Sequence, residues 1–333
     1  MIITQTPLRV SFAGGGSDLP AFYRRFGGAV VSTAIDKFVY INVNKKFDQG
    51  IRVSYSRTEE VDSVERVDHP IVRAALGKLK ITGGLEITSI ADIPSRGTGL
   101  GSSSSFTVGL LLGLHAFESR YVSPGDLAEE SCHVEIDLCG EPIGKQDQYA
   151  AAFGGLNYIR FEPDDSVIVE PILMAHDELC QLEDSLITFY TGVTRLASSI
   201  LSDQSKQSES DKGTQELLSR MTALAHTLRD ELNQGHVAAL GEILDEGWRL
   251  KREVHPAVSS SVIDDWYGAA RRAGACGGKL LGAGGGGFLL FFAPRDRHDA
   301  IEKAVGLRRV DLRLERGGSR VLLYHNPAPR SSR

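Results

Sequence analysis

An α+β protein of two domains is what this sequence predicts, on three observations. Strand-like and helix-like patterns alternate along the whole chain rather than gathering at one end. The pattern restarts at Leu186 with a new strand. A chain of 333 residues that is 41% apolar has enough material for two cores. The division is expected near 175–185, giving domains at 1–180 and 181–333, with the active site between them.

The elements follow in order. Residues 2–12 alternate as a strand, and AGGGSDLPAFYRRFGGAV then interrupts the pattern with two glycine clusters. Val30–Val43 is rich in β-branched and aromatic residues, as in one or two strands. Short strands are expected at 51–56 and 85–90, with a helix over 69–80. A helix follows the serines after residue 101, and another starts at SPGDLAEE with Ser123 as N-cap and Pro124 in the first position. GGLNYIRF and VIVEPI return to strand. In the second half the order is strand LITFYT, helices over 194–208, 214–233, 236–250 and 259–273, strand GFLLFFA, helix 296–305 and strand VLLYH. The polar run SDQSKQSESDKG at 202–213 reads as a helix end plus loop.

Composition excludes several classes. The net charge is −6, and Lys and Arg are scattered, which suits neither nucleic acid nor an anionic membrane. The apolar run from Phe106 to Phe117 carries Gly and His and is too short to span a bilayer. Cys132, Cys139, Cys180 and Cys276 make no CxxC pair, so buried reduced thiols and a cytoplasmic location are expected. A homodimer is a further open expectation.

Three glycine-rich stretches point to phosphate chemistry. SRGTGLGSSSSF, at 95–106, runs a glycine loop into a helix start, where unpaired backbone N–H groups and the helix dipole favour an anion. Its serines add hydroxyls for capping, phosphate or a hard cation. PLRVSFAGGGSDLP, at 7–20, sets Arg9 and Asp18 around three glycines, and LLGAGGGGF precedes an apolar strand. Neither standard nucleotide fingerprint explains them. GxxxxGK[ST] does not occur, and Gly282, Gly284 and Gly287 are followed by a strand where a dinucleotide fold needs a helix. Singly each stretch reads as a turn; three in one chain ask for a common cause.

These stretches resemble the three motifs of the GHMP kinases, over nearly the whole chain; P-x2-G-x-GLGSSS is the most specific of them. The resemblance implies ATP and Mg²⁺, a ribosomal-protein-S5-like N-terminal domain and a ferredoxin-like C-terminal domain. It implies phosphate contacts from Gly97, Gly99, Leu100, Gly101, Ser102, Ser103 and Ser104. It further implies a Mg²⁺-binding hydroxyl on Ser103 and a carboxylate ligand in the helix of CHVEIDLCGEPIGKQDQ, where Glu135 fits best and Asp137 and Glu141 stay open. GKQDQ resembles the galactokinase segment that carries the base, which implies Asp147, with Arg9 beside it to hold the carboxylate and orient the acceptor hydroxyl. Phe38 and Tyr40 suit adenine stacking and core strand positions equally.

The acceptor is expected to be a sugar phosphate. Asp18 stands where galactokinases hold sugar hydroxyls, while Gly15 and Gly16 replace their Glu-His pair, removing a negative charge and opening space. AGGGSDLPAFY, GKQDQYAAAFGGLNYI and FYTGVTRLASSIL resemble the heptose 7-phosphate kinases, whose acceptor is an anomeric hydroxyl. Arg195 is the first expected cation for the second phosphate, with Arg24, Arg25 and Lys145 behind it. Gly284 and Gly285 are expected at the substrate. An anomeric kinase for an unphosphorylated, fucose- or hexosamine-type sugar is the alternative, and a non-catalytic sensor of the same superfamily is a third.

Overall fold

The computed structural model describes residues 1–94, 97–193 and 197–325. The first half contains β1 (Ile2–Ala13), α1 (Pro20–Phe26), β2 (Gly28–Lys45), β3 (Ile51–Ser54), β4 (Thr58–Val61), α2 (Pro70–Leu79) and β5 (Leu85–Ala91). Next come α3 (Ser102–Phe117), α4 (Pro124–Cys132), α5 (Gln146–Phe153), β6 (Leu156–Phe161), β7 (Val167–Pro171) and α6 (His176–Asp184). The second half runs β8 (Leu186–Tyr190), α7 (Ala197–Ser210), α8 (Lys212–Asn233), α9 (Ala239–Val254), α10 (Ser261–Arg272) and β9 (Gly277–Leu280). It ends with β10 (Phe288–Phe292), α11 (His298–Val305), β11 (Arg308–Arg309) and β12 (Arg320–Tyr324).

Two sheets result. The larger has the order β12-β1-β2-β5-β3-β4, with β6 also on β2 and β7 on β6; the smaller runs β11-β8-β10-β9. Val30–Val43 belongs to one strand of 18 residues, because β2 pairs through 28–33 with β6 and through 39–45 with β5. Alternation persists in its second half, where one face is covered, and gives way to continuous burial in the first. Residues beyond the second sheet return to the first: Leu314 bridges Ile35, and β12 pairs antiparallel with β1.

α3 packs on β1 and β2 with Val108, Leu110, Leu111 and Leu114 fully buried. Each such aliphatic side chain contributes about 1.5–3 kcal/mol of burial free energy, which offsets the poor helix propensity of four serines and two glycines. Ser123 caps α4 as expected, accepting from the Asp126 N–H at 3.2 Å. α4 then runs into a π-helical turn, His133–Leu138, the kind of irregularity that often marks a functional site. α9 lies across the two cores: Leu240 and Leu244 belong to the first, and Trp248 to the second.

Three expectations change. Residues 202–213 are helical except for Asp211, which N-caps α8 by accepting from the Thr214 N–H at 2.7 Å. The helices α1, α5 and α6 and the strands β4, β9 and β11 were not expected. Of the four cysteines only Cys132 is buried; Cys180 and Cys276 are exposed. Among the described residues no helix is long and apolar enough to cross a membrane.

Candidate active site

A cavity of about 270 Å³ opens where the two sheets meet. Its walls come from β1 and the turn after it, the start of α3, residues 141–147, α8, α9, β9 and residues 282–283.

The first turn of α5 organises the floor. Gln146, Asp147 and Gln148 point in three directions, as successive residues on a helix must. Asp147 accepts two parallel bonds from Arg9, Nε to Oδ1 and Nη2 to Oδ2, both at 2.7 Å. Such a bidentate pair fixes both groups in orientation. The third guanidinium nitrogen donates to the Gly99 carbonyl at 2.7 Å, and the Arg9 N–H to the Leu100 carbonyl at 3.0 Å, so β1 pins the glycine loop. Gln146 reaches Asp18, donating from Nε2 to Oδ2 at 3.1 Å, while Gly16 N–H donates to Oδ1 at 2.9 Å. Burial raises the Asp18 pKa, and the Asp147 charge adds to the shift. A side chain at Gly144 would overlap the Asp18 carboxylate, which explains a glycine there.

The four serines of α3 divide their work. Ser105 is buried and donates to the Pro7 carbonyl at 2.8 Å, and Ser102 shares a hydrogen bond with Thr98 at 3.2 Å. Ser104 is buried, whereas Ser103 is exposed toward the cavity. Gly97, Gly99, Gly101, Ser102, Ser103 and Ser104 all line the cavity, while Leu100 is buried behind it. Gly99 and Gly282 touch back to back, both with positive φ, so close that a Cβ on either would overlap the other strand of the contact. That contact seats the third glycine stretch on the second.

Ser103 Oγ donates to Glu135 Oε1 at 2.9 Å, and Gln148 Nε2 donates to Oε2 at 2.7 Å. Glu135 is completely buried and has no ion-pair partner among the described residues. Burial pushes its pKa up to about 7, partly offset by hydrogen bonds from Ser104, Gln148 and Ser103. A carboxylate and a hydroxyl are hard oxygen donors of the kind that Mg²⁺ takes, and Ser103 brings the pair to the edge of the cavity. Of the alternatives, Glu141 lines the cavity, and Asp137 is exposed and hydrogen-bonded to His133 at 2.9 Å.

Sequence reasoning missed two lysines of the cavity wall. Lys251 on α9 and Lys279 on β9 line the cavity and are 8% and 6% exposed. Lys251 Nζ donates to the Gly282 carbonyl; Lys279 Nζ donates to the Ser11 and Phe12 carbonyls at 2.9 and 3.2 Å. Burial lowers the Lys251 pKa to about 8 and that of Lys279 well below the ordinary lysine value, with nearby cations adding to both shifts. A lysine among glycines and leucines, GGKLLGAGGGG, is a signal that was there to be read for Lys279. Lys251 sits in a charged helix and has none.

Other expected residues fall elsewhere. Gly15, Gly16 and Asp18 line the cavity, but Gly284 and Gly285 do not. They pack on the turn at Val258, with Gly285 N–H donating to its carbonyl at 2.9 Å, and Gly282 and Ala283 line the cavity instead. Arg195 lies outside the described residues. Arg24 and Lys145 pair with Asp165 away from the cavity, and Arg25 donates to the Glu209 carbonyl. Phe38 and Tyr40 also stand outside the cavity lining.

The family descriptions GHMP kinases N terminal domain and GHMP kinases C terminal match residues 69–155 and 228–309, together just over half of the chain. This chain belongs to the GHMP kinases. As a GHMP kinase it is a phosphotransferase, and the family's phosphate donor is ATP. It is 29% identical over 317 residues to D-glycero-alpha-D-manno-heptose 7-phosphate kinase of Campylobacter jejuni, spanning 90% of this chain and 92% of that one. It is 28% identical to the bifunctional fucokinase/GDP-fucose pyrophosphorylase of Arabidopsis thaliana, over 92% of this chain and 30% of that longer protein. The fold is shared with a D-glycero-D-manno-heptose 1-phosphate kinase from Bacteroides thetaiotaomicron, at TM-score 0.80, 23% identity and 98% and 100% coverage. Galactokinase of Lactococcus lactis, solved with galactose, gives TM-score 0.80 at 18% identity, with 96% and 94% coverage.

Proposed function

We propose that this GHMP kinase is a sugar kinase that transfers the γ-phosphoryl group of ATP to the anomeric hydroxyl of D-glycero-D-manno-heptose 7-phosphate, giving the 1,7-bisphosphate. The observation that carries this reading is the Arg9–Asp147 pair, set between the glycine–serine loop and Asp18 in one cavity. Similarity to the heptose 7-phosphate kinase supports the choice of acceptor.

In this reading Asp18, with Gln146 behind it, accepts hydrogen bonds from sugar hydroxyls. Asp147 accepts the proton of the anomeric hydroxyl as its oxygen bonds to the γ-phosphorus, and the bond to the bridging oxygen of ADP breaks. Arg9 holds Asp147 by both oxygens, so the base keeps one orientation throughout. The backbone N–H groups at the start of α3 take the ATP phosphates. Ser103 and Glu135 would hold Mg²⁺, which supplies positive charge to the phosphate oxygens. Gly15 leaves open the space beside Ser11 and Gln146 where the tail of the sugar would run.

Similarity to fucokinases favours a second reading, a kinase of an unphosphorylated sugar. A panel of sugars and sugar phosphates with ATP separates the two. ADP release is followed, and ³¹P NMR locates the new phosphate. Heptose 7-phosphate should be turned over far faster than free heptose, with the new phosphorus on the anomeric oxygen. Equal rates on both sugars would remove the phosphorylated acceptor from the proposal.

A further inference from the structure

We propose that Lys251 and Lys279, together with the Ser11 hydroxyl, form an anion subsite where α9 and β9 meet β1 in the cavity wall, and that it takes the phosphate monoester of the acceptor. This rests on the reading of the cavity as a sugar-phosphate site and assigns the group that recognises the phosphate there.

The charge balance of the wall carries the argument. Buried charges in folded proteins are paired or bind ions, because an unpaired one forfeits its hydration. Neither lysine has a carboxylate within ion-pair distance among the described residues. Their protein partners are backbone carbonyls alone. An ammonium carries three donors; Lys279 uses two and Lys251 one, so three N–H bonds remain for a ligand. Arg9, whose own carboxylate partner is Asp147, adds to the positive potential, and the more distant Asp18 charge offsets it in part at Lys251.

A second observation points to the same place. Ser11 Oγ is buried, lines the cavity and has no hydrogen-bond partner among the described residues. Ser11 Oγ stands beside the Lys279 contact on the Ser11 carbonyl, and 3.8 Å from where a side chain at Gly15 would begin. A phosphate reaching past Gly15 therefore meets a free hydroxyl and two cations with spare donors. The glycine–serine cradle at residues 97–104 meets the same wall at the Gly99–Gly282 contact, so the ATP arm of the test decides between donor and acceptor. Arg24 and Lys145 are already matched with Asp165 outside the cavity, so they leave this role to the buried lysines.

The test is calorimetric titration of the wild-type enzyme and of Lys251→Met and Lys279→Met with heptose 7-phosphate, free heptose and ATP. Each variant should weaken heptose 7-phosphate by about 10- to 100-fold, the scale of one charge-assisted hydrogen bond, and ATP by less than about 3-fold. Lys251→Arg keeps the charge and should retain most of the affinity; the melting temperature without ligand checks that each variant folds. A loss that falls on ATP assigns the lysines to the donor and overturns the subsite. A loss equal for both heptoses makes them structural tethers and overturns it too. Inorganic phosphate, titrated onto enzyme saturated with a non-hydrolysable ATP analogue, separates this proposal from the one it rests on. If phosphate binds in a lysine-dependent way while no heptose phosphate is turned over, the subsite stands and the heptose reading falls. If heptose 7-phosphate is preferred by wild type and by both Met variants alike, the heptose reading stands and the subsite falls.

Discussion

Glu135, buried behind the cavity-lining Ser103, and the pair Lys251–Lys279, buried in the cavity wall, have opposite charge and the same deficiency. Glu135 is held by neutral donors and, among the described residues, lacks a paired cation; the lysines are held by neutral acceptors and likewise lack a paired anion. Arg9 and Asp147 already satisfy each other. Charges left unpaired inside a protein destabilise it, so Glu135 and the lysines store an electrostatic cost that the matched pair does not. The difference separates groups that wait for a ligand from groups that work on it.

The largest effect should come from the matched pair. Asp147→Asn keeps the shape of the floor but cannot take a proton, and kcat should fall by roughly 10²-fold or more while the ATP dissociation constant stays close to wild type. Turnover within a few-fold of wild type would reduce Asp147 to a partner of Arg9 and erase the distinction just drawn.

Glu135→Gln sharpens the comparison from the other side. Burial lets the folded protein keep the Glu135 proton up to about pH 7, whereas an ordinary glutamate loses it near 4.5. Between those values folding takes up a proton, so stability falls as pH rises, and the full penalty is present above pH 7. A neutral Gln escapes it. Without ligands, Glu135→Gln should gain up to about 3 kcal/mol at pH 8 and less than about 1 kcal/mol at pH 5, by denaturant melts at both. The same variant should need more Mg²⁺ for activity. A stability loss at pH 8 would mean that the carboxylate is compensated after all, and an unchanged Mg²⁺ titration would move the proposed ligand to Glu141.

The smallest effect is expected outside the cavity. Arg24 lies 3.0 Å from Asp165 with both side chains about half exposed, so Arg24→Ala should cost no more than ~1 kcal/mol and leave the KM for the sugar phosphate within about 2-fold. A large rise in that KM would shift the phosphate from the buried lysines to the surface cluster.

How far the site was legible follows from distance along the chain. Arg9, Asp18, residues 97–104 and Asp147 announce themselves because each lies in a short stretch whose glycines and serines are costly elsewhere. Gln146 and Gln148 flank Asp147 in plain view, yet only the helix geometry of α5 shows that they serve Asp18 and Glu135. Lys251 was illegible, since a lysine on an amphipathic helix ordinarily faces water; it is buried here because α9 crosses from one core to the other. The polar run at 202–213 misled for a similar reason. Ser and Gln give no apolar period, and the cap at Asp211 is a single residue between two helices. The fold class was readable, while the return of residues 312–325 to the first sheet depends on pairing across three hundred residues. We keep the division at 180/181 as a proposal, with that returning segment assigned to the first unit.

That return has a consequence for how the protein is made. Until residues 320–324 have emerged from the ribosome, β1 has a partner on one side only. Translation of some three hundred residues, at about 5–20 residues per second, leaves that edge bare for about 15–60 seconds. A bare β edge invites pairing with a neighbouring nascent chain. The early half of this kinase is therefore exposed to misassembly on the polysome for most of its synthesis, and its own tail is the piece that ends the exposure.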